Sequence, residues 1–546
     1  MEKKALSAKK EVVLNGCELT IEEVVKVARE YAPVSIDPEC RKEILRVREQ
    51  IEKQWISEDA PPAYGFNTGV GKLKYTAIDP EQNDLFQHHL VMSHCGGVGE
   101  PLSEEVVRAT MLVRLNAFCQ GVSGLRWEVI ERLMTMLNKG VHPVIPLQGS
   151  VGASGDLAPL AHMVSVLIGY EKAEAFYQSQ RMSAREALEQ AGIAQVAFEL
   201  KAKDCLALIN GTTVFAAMAA LNCHDAEKLA NTCEISAALS LEAVRGETAA
   251  FDPRIHKARR HKGQIDCAHN IRKLIEGSGR VTEEARKIRL PHDVLHPEYK
   301  PRVQDLYSLR CVPQVQGAVR DNLEYVHRLI EEEINAATDN PLVFWEEDGS
   351  LMFYSGGNFH GQSVAYAMDI LAMSVAELGS ISERRTFQML DPTLSYGLPP
   401  NLAGEPVGLN YGYGIIACSA SALVSENKTL CQPASVDSIP TKSNQEDHVS
   451  MAPWAARKAG MVIDNVEKIL GIELMIGAEA ISLTETSLGS FSLGIGTNAA
   501  YQRIRQDIKA AYKDTYMPDQ SLPAIKLVKE RHILQAVEEA VDGLKF

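Results

Sequence analysis

Residues 321–338 read DNLEYVHRLIEEEINAAT. Leu323, Val326, Ile330 and Ile334 recur at spacings of three and four, which puts them on one face of a helix. The run Glu331-Glu332-Glu333 falls mostly off that face, and Asp339-Asn340-Pro341 then breaks the helix. The same apolar periodicity, with few internal breakers, recurs at 104–118, 206–233, 361–378 and 456–482. Strand-like alternation is sparse. It is confined to Glu11-Val12-Val13-Leu14 and to Leu342-Val343-Phe344 beside Leu351-Met352-Phe353, where the intervening Trp345–Ser350 predicts a small hairpin. The expectation is a mainly α protein. A smaller mixed N-terminal domain, 1–235, precedes a long-helix bundle domain, 236–546.

Bulk properties narrow the function. A formal net charge of -15 over 546 residues disfavours a nucleic-acid partner. The charged and apolar fractions are those of an ordinary globular protein. Nowhere do eighteen apolar residues run uninterrupted, so no membrane span is expected. The start, MEKKALSAKKEVVLNG, lacks the apolar stretch of a signal peptide. Eleven cysteines without a CxxC pair cannot all pair internally, and they read as free thiols in a reducing cytoplasm. His88, His89 and His94 lie close in sequence, yet no HExxH or CxxC pattern accompanies them, so no metal is expected.

Glycine and proline gather at 61–73, 95–101, 140–159, 355–361 and 392–414, as loops between helical blocks. The most informative is Gly149-Ser150-Val151-Gly152-Ala153-Ser154-Gly155-Asp156-Leu157-Ala158-Pro159-Leu160, which leads into an apolar helix with Pro159 suited to its first turn. It lacks the lysine of a phosphate-binding loop and the GxSxG of a hydrolase elbow. On generic grounds it is a flexible loop. Its tripeptide also allows a specific chemistry. The Gly155 nitrogen can attack the Ala153 carbonyl and lose water, closing a five-membered ring. Loss of the Ser154 hydroxyl as a second water then gives 4-methylidene-imidazole-5-one (MIO), an electrophile.

The segment GSVGASGDLAPLAHM at 149–163 closely resembles the signature of the histidine and aromatic amino-acid ammonia-lyase family. Further stretches resemble that family's motifs in the same order: Tyr64–Gly69, Leu208–Thr212, Tyr307–Gln314, Thr338–Leu342, Ser355–His360 and Asn444–Met451. The resemblance runs from about residue 10 to about residue 480. It implies an ammonia-lyase-like helical fold, an MIO group formed from Ala153, Ser154 and Gly155, and a homotetramer whose active sites each draw on three subunits. The group is needed because an amino acid's β-hydrogen is not acidic and ammonia leaves poorly, so an electron sink must improve the leaving group.

The resemblance also implies roles for individual residues. Tyr64 is a base or proton relay, which demands local activation because tyrosine is a weak acid. Tyr307 is a catalytic group. Arg310 holds the substrate carboxylate through its planar fork. Asn210 orients the amine or polarises the prosthetic group. Gln304 and Asn358 supply supporting hydrogen bonds, and Phe359 packs in the pocket. Asp156, next to the tripeptide, is expected from its position to help close the ring or orient the loop. Without the resemblance each has a blander reading: a packed aromatic, a solvated arginine, ordinary core.

Two positions bear on the substrate. Ser93-His94 resembles the histidine-acting members, where phenylalanine-selective ones resemble Phe-Leu and tyrosine-selective ones His-Leu. An imidazole offers a polar substrate ring a partner that leucine cannot. Glu446, within Gln445-Glu446-Asp447-His448, also resembles the histidine type, and there it pairs with the substrate imidazole or accepts a proton. Together they imply conversion of L-histidine to trans-urocanate and ammonia. Val70 with Lys72 and Lys74, Gly361-Gln362, and the stretch from about 483 depart from that subgroup's pattern. The rival readings are a phenylalanine or tyrosine ammonia-lyase, a 2,3-aminomutase, and a non-catalytic helical scaffold of the same fold.

Overall fold

The computed structural model describes residues 10–56, 60–293 and 303–546. The chain divides into two compact units, each built from three separate stretches. One takes 1–224, 327–369 and 433–457; the other takes 225–326, 370–432 and 458–546. Four of the five divisions fall inside a long helix, Thr213–Ala243, Val312–Ile334, Gln362–Leu390 or Ala452–Leu483; the fifth, between Gln432 and Pro433, follows helix Gly414–Leu430. Residue 235, where the sequence places a boundary, lies within the first of these.

The helix foreseen at 321–338 is Val312–Ile334. It starts earlier because Pro313 sits in the first turn, where its missing N–H costs nothing. It ends earlier because Asn335 turns aside to hold the chain near residue 19. Its amide donates to the Leu19 carbonyl and its Oδ1 accepts from the Leu19 N–H, both at 2.8 Å. The pattern at 206–233 is two helices, Asp204–Ile209 and Thr213–Ala243, because Gly211 takes φ +144° between them.

In the first unit, helix Glu104–Cys119 is buried at every residue from Val107 to Cys119. Helix Ile21–Glu30 is started by a capping box of Thr20 and Glu23. The strand at Val12–Leu14 pairs in parallel with Val34–Ile36, a partner the sequence does not announce. The expected hairpin is present as Leu342–Trp345 and Leu351–Tyr354, with Leu342 opposite Tyr354. It packs Val343 and Leu351 against Ile51, Trp55 and Phe66, burying apolar area that a two-stranded ribbon alone would expose.

The second unit is helical. A fully buried ion pair ties three of its helical segments: Arg385 Nε lies 2.5 Å from Glu473 Oε1, and Ser236, Ser240 and Ser382 donate to the same carboxylate. The chain beyond 483, which matches the family motifs poorly, forms helices Ile495–Asp507, Pro518–Lys529 and His532–Val541. Helix Gln362–Leu390 is long and apolar enough by composition to cross a membrane, but 67% of its most apolar window is buried.

Candidate active site

The glycine-rich loop is pinned on both sides before it enters helix Leu157–Leu167. On one side, Met451 N donates to Val151 O at 2.9 Å and Ser450 Oγ to Gly152 O at 3.1 Å. On the other, Asp156 N donates to Gly211 O at 2.7 Å. Asp156 Oδ2 accepts from Val214 N and Phe215 N, both at 3.0 Å, in the first turn of Thr213–Ala243. Burial pushes the Asp156 carboxyl up to about 7 against the pull of these donors and of Arg114. At Gly155 the backbone is at φ +66° and so close to Gly211 that a Cβ would lie 2.0 Å from its carbonyl oxygen. Only glycine fits there.

The central residue of the tripeptide is gripped at two atoms. Asn210 Nδ2 donates to the Ser154 carbonyl oxygen at 2.8 Å, and Ser154 Oγ donates to Glu446 Oε1 at 2.6 Å. Asn210 is itself fixed from behind, because the buried Arg114 donates to the carbonyls of Asn210 (2.6 Å) and Ala207. Thr441 Oγ1 donates to Glu446 Oε2 at 2.7 Å. Burial raises the Glu446 carboxyl, but the hydrogen bonds from Ser154, Thr441 and Lys442 outweigh it and hold the group below the ordinary carboxylate range.

Ser154, Asn210, Lys442 and Glu446 line a cavity of about 1060 Å³ in the first unit. Tyr64, His94, Ala153, Asn210, Phe359 and Glu446 all face it. Tyr64 stands on the 61–73 loop, its hydroxyl accepting from Gly71 N at 3.1 Å. His94 ends helix Asn83–His94, with Nδ1 2.8 Å from Leu90 O. A carbonyl accepts only from N–H, so Nδ1 carries the proton and Nε2 is left as an acceptor. Burial keeps this imidazole below its ordinary range.

The remaining sequence-selected residues are placed differently. Asn358 donates to Ala337 O at 3.1 Å and supports the loop carrying Phe359. Gln304, Tyr307 and Arg310 belong to the second unit and are not among the residues lining this cavity. Tyr307 is 70% exposed, and the Arg310 guanidinium stacks on its ring at 4.5 Å from the centroid. Cavity residues that the sequence did not single out include Asn340 and Lys442. Asn340 bonds to both Ser355 and Gly356. Among the described residues no group of three or more His, Cys, Asp or Glu is arranged to hold a metal.

The family profile described as aromatic amino acid lyase matches residues 19–506. The chain belongs to that family. It is a carbon–nitrogen lyase. Among its relatives in the family, a histidine ammonia-lyase of Alkaliphilus metalliredigens is 46% identical over 98% of this chain and 100% of its own. Histidine ammonia-lyase 2 of Fusobacterium nucleatum is 44% identical over 98% and 99%. Among solved structures, tyrosine aminomutase from Streptomyces globisporus superposes with a TM-score of 0.89 at 35% identity, covering 98% of this chain and 100% of that one. Histidine ammonia-lyase from Trypanosoma cruzi gives 0.85 at 36%, covering 97% and 96%.

Proposed function

We propose that this lyase converts L-histidine to trans-urocanate and ammonia, with Ala153, Ser154 and Gly155 matured into MIO. The observation that carries the reading is the pair of contacts on Ser154, its hydroxyl on Glu446 and its carbonyl under the Asn210 amide. The residues fit the group. The site has no room for a Cβ at residue 155, it orients the hydroxyl that must leave, and it holds a donor on the oxygen that becomes the ring carbonyl.

When formed, the MIO group would supply an electrophilic carbon at the former Ser154 Cβ that improves the substrate amine as a leaving group, with negative charge developing at the Ser154 oxygen, where Asn210 would hold it. Everything else falls to side chains. The Asn210 amide is preorganised for that charge, and a donor aimed at developing charge is worth most in a water-poor cavity. His94, neutral with Nε2 as acceptor, takes the N–H of a substrate imidazole. Glu446, held ionised by Thr441 and Lys442, accepts the second N–H of the substrate ring when that ring is protonated to the imidazolium, or receives a proton during the reaction. Tyr64, on the same cavity wall, is the proton acceptor or relay for the β-hydrogen.

Arg310 holds the substrate carboxylate, and Tyr307 and Gln304 complete the site from neighbouring subunits of a homotetramer. The exposure of Tyr307 supports this arrangement. The eleven free thiols support a cytoplasmic location.

The likeness to a tyrosine aminomutase supports a second reading, return of the amine to the β-carbon of an aromatic amino acid. Separate incubations with L-histidine, L-tyrosine and L-phenylalanine, followed by ultraviolet absorbance and product analysis, decide between them. Urocanate with stoichiometric ammonia is expected. Coumarate, cinnamate or a β-amino acid in its place overturns the histidine reading.

A further inference from the structure

We propose that Lys442 is a positioning residue of this site, its ammonium fixing the orientation of the Glu446 carboxylate beside residue 154. Lys442 Nζ lies 3.0 Å from Glu446 Oε1, the same oxygen that accepts the Ser154 hydroxyl at 2.6 Å. Thr441 occupies the other carboxylate oxygen. When the Ser154 hydroxyl leaves as water, Thr441 and Lys442 remain as donors on the two carboxylate oxygens, and Lys442 carries a full charge.

The local chain is built to bring Lys442 there. Thr441 N donates to Glu446 O at 2.9 Å, and Gln445 N to Lys442 O at 3.1 Å, closing a tight loop. Lys442 at φ +42° and Asn444 at φ +61° both take the left-handed conformation that bulky residues rarely adopt. Lys442 lines the cavity together with His94 and Glu446. Its charge reaches His94 too, opposing protonation of that imidazole where the Glu446 charge favours it. The other titratable groups facing the cavity are Tyr64, Lys72, Lys74, Tyr75, His89, Asp447, His360 and His448.

Lys442 therefore acts through two neighbours, in directions that fix the signs of the test. Removing it raises the Glu446 carboxyl, so the acid limb of kcat/KM moves to higher pH. It also raises His94. At 3.0 Å an ion pair in water-like surroundings, partly screened at a half-exposed lysine, is worth a shift of about half to one pH unit.

This inference rests on the proposed use of Glu446 and His94, so two readouts are needed. The first is the pH profile for L-histidine of wild type, Lys442→Gln and Lys442→Arg. The acid limb is expected to rise in the glutamine variant and return in the arginine variant. The second is NMR titration of His94 in Ser154→Ala protein, which needs no turnover, with and without Lys442→Gln. His94 is expected to titrate at higher pH when Lys442 is gone. A wild type that ignores L-histidine while His94 still shifts overturns the proposed substrate and leaves Lys442 in place. An unmoved His94 titration overturns the role of Lys442, as does a glutamine variant whose loss is equal at every pH and not relieved by arginine.

Discussion

Replacing Asn210 by alanine removes the amide that donates to the Ser154 oxygen at 2.8 Å. The lost group is buried, and its backbone carbonyl is held from behind by Arg114. The oxygen it serves takes up charge only as the amine is activated, so its bond strengthens in the transition state and little before it. Deleting one such preorganised donor costs about 2.7–4 kcal/mol, or about 10²–10³ in kcat. KM should change by less than about threefold, because the ground state uses the bond weakly. The assay is steady-state urocanate release, read alongside intact mass so that failure of ring formation is not mistaken for failure of catalysis. A variant that has lost two waters yet keeps kcat within about tenfold of wild type refutes the assignment. So does one whose whole defect lies in KM.

Gly155→Ala should block maturation, because its Cβ would sit 2.0 Å from the Gly211 oxygen; intact mass should show the unshortened chain, and a matured protein would contradict this. His94→Leu removes a half-buried acceptor for a polar ring, so kcat/KM for L-histidine should fall at least about tenfold while that for L-phenylalanine is spared; equal losses on both substrates would argue against recognition through His94. Glu473→Gln strands the fully buried Arg385, and loss of one partner of such a pair costs about 3–5 kcal/mol, measurable by urea denaturation; a change below about 1 kcal/mol would refute that accounting.

How much of this was legible in the sequence follows from what one-dimensional patterns encode. Long apolar periodicity marks Glu104–Cys119, Gln362–Leu390 and Ala452–Leu483 well, because burial on a helix repeats locally. The break at Asn210-Gly211-Thr212 was overrun, since two apolar helices flank it and only the left-handed space at Gly211 reveals the turn. Pairing of Val12–Leu14 with Val34–Ile36 depends on a contact across a helix and has no local signal.

At the site, the residues gathered around Ser154 were found through motif resemblance; periodicity or charge would not have found them. Charged residues that hold the site from behind were invisible. Arg114 is fully buried, and Lys203 pairs with Asp339 at 3.1 Å with both side chains out of water, yet each reads as an ordinary surface charge. Lys442 carried one faint signal, its spacing of four residues from Glu446.

The proposed chemistry depends on Ala153, Ser154 and Gly155 becoming an electrophile. Intact-mass spectrometry of the purified protein, with Ser154→Ala as the reference, tests it most directly. The chain should be lighter than its sequence by two waters, with the tryptic peptide spanning 149–163 carrying the whole deficit. A full-mass chain that still releases ammonia from L-histidine would contradict it.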